Sequence, residues 1–291
     1  MSYFPILLRA EQKPLEHRSF SPSVIGSLVK AGHPVSVSRS STDPNFRRIF
    51  DDEEYEAVGA TLVPTGTWPN AAPGTLIPRG GFRPQERPSQ ELVEQIRGDV
   101  AVIEKELGRK PTTMVLGALG RCGRDACDLF AAVGLETTDI QETRTPGPYK
   151  TIVEHDIFLN AIYLSEPIPP FINQELLAQP GRKLGVVCDV SCDTTNPHNP
   201  LPIYSINTTF DEPTVPVVVE NDQNKTPLSV ISIDHIPSML PRESSVSFSD
   251  GLREALLQLH QKDTYRMWTD AAKLFNEKVA ELPEALRAKE A

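Results

Sequence analysis

The chain is 291 residues long, carries a net charge of -10 and is 39% hydrophobic, which suits one large domain or two medium ones. The acidic balance, with no basic patch, argues against a nucleic-acid partner. Nothing reads as a signal peptide or membrane span. The cysteines Cys122, Cys127, Cys188 and Cys192 show no metal spacing with histidine, so free thiols, no bound metal and a reducing, cytoplasmic setting are expected.

Ile6–Leu8 reads as a short strand. Ser21 then caps a helix whose first position is Pro22, where proline's missing N–H is harmless. Val24, Leu28 and Val29 give that helix its apolar face, and Gly32 ends it. Val35–Val37 alternates as a strand does. A short helix over Asp51–Val58 closes at Gly59, and Ala60–Val63 is a third strand. This β-α-β-α-β order implies a parallel sheet.

Pro64 to Pro88 is punctuated throughout by proline and glycine and shows no periodicity. So long a loop is unusual inside a compact domain. It reads as a boundary, or as a place where the chain has lost a segment.

Ser89 opens a long helix with Leu92, Ile96, Val100, Ile103 and Leu107 on one face; Gly108 and Pro111 end it. Thr112–Leu116 then run as a strand into Gly117-Ala118-Leu119-Gly120-Arg121-Cys122-Gly123. A helical pattern follows through Asp125, Leu129 and Val133 to Gly134. Strand, glycine turn and helix are the parts of a dinucleotide site. Glycines let the backbone approach a pyrophosphate, and the helix start holds its charge. The spacing is GxxGxxG rather than GxGxxG, so a plain tight turn is the alternative. Asp156–Leu164, Leu184–Val190 and Leu228–Ile233 read as buried strands. Asp250 starts a helix containing Leu252, Leu256 and Leu259. Asp263 starts the last one, with Met267, Ala271, Leu274 and Leu282 on one side as far as Pro283.

Three further stretches carry a resemblance: Leu8-Arg9-Ala10-Glu11-Gln12-Lys13-Pro14-Leu15-Glu16-His17-Arg18, Asp189-Val190-Ser191-Cys192-Asp193-Thr194-Thr195-Asn196-Pro197-His198-Asn199-Pro200, and Ser232-Ile233-Asp234-His235-Ile236-Pro237-Ser238. Together with the glycine turn they closely resemble the fungal saccharopine dehydrogenases that form L-lysine with NAD. The similarity covers most of the chain, in order. It implies an α/β protein of two Rossmann-like parallel-sheet domains around a cleft. It implies oxidation of saccharopine through an imine, which water hydrolyses to lysine and 2-oxoglutarate. On this reading residues 1–69 with 246–291 form a truncated N-terminal substrate domain. Residues 70–88 are a linker, and residues 89–245 form the NAD-binding domain.

The resemblance also implies roles. Gly120 and Arg121 correspond to pyrophosphate contacts, Asp139 to the acid on the adenosine ribose, and Thr143 lies near it. Tyr163, Val190, Ile233, Asp234, His235 and Ile236 correspond to the rest of the NAD site. Arg18 resembles the arginine that binds a substrate carboxylate, and Ser191, Cys192 and Asp193 its backbone-side contacts. Each has a plainer alternative. Arg18 could be a solvated charge beside a helix, Asp139 a surface acid, Tyr163 a core residue and His235 a structural histidine.

The departures from the family are two. Its members carry, between the stretches matching Leu62–Trp68 and Ser89–Gly108, a long segment that supplies strands to the first domain. That segment also holds the lysine and histidine serving as general base and acid. Here only Asn70–Arg87 occupies the gap, and no lysine or histidine occurs from Val63 to Glu104. The family pair therefore has no counterpart, and His235 is the first candidate to replace it. The second gap follows Gly134, where only Leu135-Glu136-Thr137-Thr138 precede Asp139. The second strand of the NAD unit is expected to be shortened or replaced. Three readings follow: a C–N oxidoreductase with altered acid–base groups, a non-catalytic scaffold of the same fold, or an incomplete translation of an ordinary family member. The lost strands also predict a bare sheet edge open to self-association, with Leu28, Val37, Leu62 and Leu274 less covered.

Overall fold

The computed structural model describes residues 4–9, 19–43, 47–78, 89–140, 147–164, 166–192, 194, 196–224 and 226–283. Arg18, Thr143 and Asp193 lie outside them. The chain divides into two compact units, residues 1–86 with 237–291 and residues 87–236. Each contains a parallel sheet with helices, the α/β Rossmann-like architecture.

The first unit opens with β1 (Ile6–Leu8), α1 (Pro22–Lys30), β2 (Val35–Ser38), α2 (Asp52–Glu56) and β3 (Thr61–Val63). The strands pair in parallel in the order β1-β2-β3, with Ile6 opposite Val35 and Val37 opposite Leu62. Ser21 caps α1 as its sequence requires, accepting from the Val24 N–H. The core gathers Ile6, Leu8, Val24, Ile25, Leu28, Val37, Ile49 and Tyr55. Leu28 and Val37, expected to be less covered, are fully buried; Leu62 is half-buried and Leu274 exposed.

The sequence predicts a bare sheet edge without assigning it to a strand, and the edge beside β1 is covered. The Leu7 N–H donates to the Leu76 carbonyl at 2.9 Å, Leu76 N–H to Pro5 at 3.0 Å, and Arg9 N–H to Pro78 at 2.9 Å. Part of the proline- and glycine-rich stretch thus serves as a short parallel addition to the sheet. A period-based reading misses it because backbone hydrogen bonds, not alternating side chains, place it.

The second unit begins with α3 (Ser89–Leu107), β4 (Thr113–Leu116), α4 (Arg121–Ala132) and β5 (Thr137–Ile140). It continues through α5 (Lys150–Val153), β6 (Ile157–Asn160), α6 (Gln174–Ala178), β7 (Val186–Asp189), β8 (Val215–Pro216) and β9 (Ser229–Ile231). The sheet order is β5-β4-β6-β7-β9-β8, all parallel except the antiparallel edge strand β8. The strand after Gly134 is present: β5 pairs residue for residue with β4, Asp139 opposite Val115. Four residues suffice because β5 is an edge strand paired along its whole length. Met114, Leu116, Phe158, Val187 and Val230 carry the sheet's contribution to the core.

Helix α3 differs from its expected face. Val93, Ile96 and Val100 pack on Phe130, Val133 and Leu135. Ile103 and Leu107, on the last turn and a half, are exposed. The contact with the end of α4 covers only the first part of the long helix.

The chain then returns to the first unit through α7 (Pro241–Leu257) and α8 (Arg266–Glu281). Helix α7 starts nine residues before the expected Asp250. Its early turns bury Ser245 and Ser249, so no apolar period marks them. Ser249 Oγ accepts from the Ser21 N–H at 2.9 Å and donates to the Ser19 carbonyl at 2.7 Å; Ser245 Oγ accepts from the Ser19 N–H at 3.2 Å. No residue of α8 is fully buried; Trp268 packs against the core and donates to the Ala255 carbonyl.

Candidate cofactor site

In the second unit β4 lies between β5 and β6, so the chain leaves β4 to one side and returns on the other. Ligands of open α/β sheets bind at such a reversal, beyond the carboxyl ends of the strands. Gly117 follows β4 directly with φ +88°, a conformation glycine adopts freely. A Cβ there would meet the Ala161 carbonyl oxygen, just past β6, at 3.0 Å. Gly120 N–H donates to the Gly117 carbonyl at 2.9 Å and closes the turn.

Gly120 is the N-cap of α4 and brings no side chain to the first amides of the helix. A Cβ on Gly123 would stand 2.1 Å from the Gly117 carbonyl oxygen. Glycine is therefore required there for α4 to pack on the end of β4. Gly120 is looser, since its Cβ would lie 3.2 Å from that oxygen. The turn is a backbone cradle of the kind that accepts a pyrophosphate. Arg121 stands exposed at the first turn.

Because the strands are parallel, their carboxyl ends share one edge of the sheet. Tyr163 follows β6 by three residues and is 66% exposed, which rules out the core role. Val190 follows β7 and is half-buried; its N–H donates to the Asn160 carbonyl at 2.9 Å. Cys192 is buried with φ +28°, an uncommon conformation for a residue other than glycine. Ile233 is buried beyond β9, bridged in parallel to Thr208. Asp234 and His235 follow, exposed or half-exposed, with Nε2 of His235 3.2 Å from Asp234 Oδ2. Ile236 starts a short 3-10 turn. Asp139 lies within β5 rather than past its end.

The same edge holds residues that motif reading passed over. Asn160 and Asp189 are the last residues of β6 and β7 and stand opposite each other. Asn160 Nδ2 donates to Asp189 Oδ1 at 2.9 Å, and Tyr204 Oη to Asp189 Oδ2 at 2.6 Å. The Ser191 N–H donates to Asp189 Oδ1 at 3.1 Å. The available signal was Asp189 heading the long specific run. Burial, with Asp189 and Cys192 nearby, pushes the Cys188 thiol up to about 11, which keeps it protonated and unreactive. Among the described residues no three His, Cys, Asp or Glu side chains converge as a metal site. No described helix is long and apolar enough to cross a membrane.

The chain is similar to saccharopine dehydrogenases [NAD(+), L-lysine-forming] of several fungi. It is 39% identical to that of Emericella nidulans over 373 aligned positions, covering 96% of this chain and 98% of the relative. For Yarrowia lipolytica the identity is 38%, over 95% and 98%, and for Neurospora crassa 37%, over 96% and 97%. An alignment of 373 positions exceeds a chain of 291 residues by 82, so at least 82 positions of the relative face gaps. Coverage of both chains is nearly complete, which places those gaps inside the chain. No family model matches. Among solved structures, an L-alanine dehydrogenase shares the fold with a TM-score of 0.55 at 15% identity, covering 88% of this chain and 90% of that one.

Proposed function

The chain belongs to the NAD-dependent, L-lysine-forming saccharopine dehydrogenase family, and from that premise we propose how its residues serve the family's chemistry. It is a saccharopine dehydrogenase-like oxidoreductase that uses NAD on a C–N bond, as in lysine biosynthesis. Bound NAD supplies a hydride acceptor. Gly120 and Arg121 hold the pyrophosphate, and Asp139 and Thr143 the adenosine ribose. Tyr163, Val190, Ile233, Asp234, His235 and Ile236 line the remainder. By resemblance Ser191, Cys192 and Asp193 serve an amino-acid-like small molecule, and Arg18 is of the type that suits a carboxylate. A cytoplasmic setting fits this role.

The observation that carries the reading is the glycine cradle of Gly117, Gly120 and Gly123 at the sheet's reversal, where added Cβ atoms would obstruct backbone packing. Fluorescence titration of the full chain with NADH tests it. Saturable binding is expected; none at millimolar cofactor sinks the cofactor assignment.

A second reading rests on the internal gap. From Val63 to Glu104 the chain has no lysine or histidine, so the family's acid–base pair has no counterpart. General acid–base catalysis contributes roughly 10²–10⁴ in rate. Binding without efficient turnover follows, with His235 the residue to test as a substitute. A scaffold role is the limiting case of this reading. Self-association is retained as a proposal for the β3 edge and is read by sedimentation.

A further inference from the structure

We propose that Asp189 is a positioning residue that ties together the two loops carrying Tyr163, Val190, Ser191 and Cys192; this rests on the cofactor reading above. A carboxylate in the end of a parallel sheet is costly to bury unless donors satisfy it. Asp189 is 1% exposed and has three donors from three segments: Asn160 on β6, Ser191 after β7, and Tyr204 beyond them.

Asn160, itself fully buried, passes the constraint on. Its Oδ1 accepts from the Ile162 N–H at 3.2 Å, while its Nδ2 also faces the Ile162 carbonyl at 3.4 Å. Ser191 Oγ donates to that same carbonyl at 2.7 Å. The loop after β6 and the loop after β7 are thus joined twice, once through Asp189 and Asn160 and once through Ser191. Tyr163 is next to Ile162, and Val190 lies between Asp189 and Ser191. Tyr163 is exposed and Val190 half-buried, so the buried network beneath them fixes their backbone. Such fixed supports hold a binding site to its productive geometry.

The test compares NADH dissociation constants of the full chain, its Asp189→Ala, Asp189→Asn and Tyr204→Phe variants, each confirmed folded by circular dichroism. Asp189→Ala strands the Asn160 and Ser191 donors and is expected to weaken binding roughly tenfold. Asp189→Asn keeps one carbonyl acceptor, and the Tyr204 hydroxyl can accept from the new amide, so binding should stay near that of the unaltered chain. Tyr204→Phe removes one donor and should fall between. A purely structural role would lower the unfolding temperature without moving affinity below it. Equal affinity in folded Asp189→Ala and Tyr204→Phe overturns the proposal; if Asp189→Ala does not fold, Tyr204→Phe against Asp189→Asn decides alone. If the unaltered chain binds no NADH, the cofactor reading falls and this proposal with it. If it binds and the variants match it, only the positioning role falls.

Discussion

The carbonyl oxygen of Gly117 occupies the space where a side chain on Gly123 would begin, 2.1 Å from its Cβ position. Strand end and helix start are locked together there by the absence of a single atom. Gly123→Ala should therefore push α4 off the sheet. The expected loss is about 1–3 kcal/mol from overpacking, with NADH binding weakened as well. Urea unfolding of the variant checks it; an unchanged midpoint would mean the helix shifts freely.

Gly120→Val separates packing from binding. A Cβ at Gly120 would lie 3.2 Å from the Gly117 oxygen, so a small adjustment admits it. Stability should fall less than in Gly123→Ala, while a branched side chain obstructs the approach of a pyrophosphate. Parallel unfolding and NADH titrations should show a large loss of affinity with a small loss of stability.

Much of this region was legible in the sequence, because glycine spacing between a strand and a helix has few physical explanations. Helix α1 was equally plain from Ser21, Pro22 and its apolar face. The first half of α7 was not, since Ser245 and Ser249 bury hydroxyls that bond Ser19 and Ser21, and polar burial leaves no apolar period. Residues 75–78 carry no alternating pattern: backbone bonds to β1 and the single apolar contact of Leu76 with the core hold them. The support beneath the candidate site is hidden for a related reason: Asn160, Asp189 and Tyr204 are distant in sequence, the register of β6 and β7 joins the first two, and Tyr204 reaches Asp189 from a loop outside both strands.

Ser249→Ala tests the polar seam between α1 and α7. It leaves the buried Ser21 N–H and Ser19 carbonyl without this partner. A buried group so stranded costs roughly 1–3 kcal/mol. Hydrogen exchange should show the loss over Val24–Leu28 and leave Met114–Leu116 unchanged; uniform protection throughout would refute the seam's importance.

Asp156 makes the second unit sensitive to acid. Its burial raises the carboxyl's pKa, but hydrogen bonds from the Arg109 guanidinium and from the Thr112 N–H and hydroxyl outweigh this and bring it to about 2. A carboxyl depressed on folding stabilises above its unfolded value of about 3.9 and loses that contribution as pH falls toward its folded value. Asp156→Asn should therefore unfold more easily than the unaltered chain at neutral pH, and the gap should close between about pH 4 and 2. A gap independent of pH would assign the effect to something other than this charge.

Leu76→Pro removes the N–H that bonds Pro5 and should loosen the strip covering β1. Faster exchange at Leu7 and Arg9 is expected, with concentration-dependent association as the edge opens. Unchanged exchange at both amides would show that the strip does not protect this edge.

We propose that the cofactor half of a saccharopine dehydrogenase persists here without the family's acid–base pair. Steady-state NADH formation from saccharopine and NAD, measured beside a full-length fungal relative, tests it most directly. A rate at least about 10² lower than the relative's is expected, in a chain that still binds NADH. Turnover within an order of magnitude of the relative would contradict it and would turn attention to His235 as the group moving the proton.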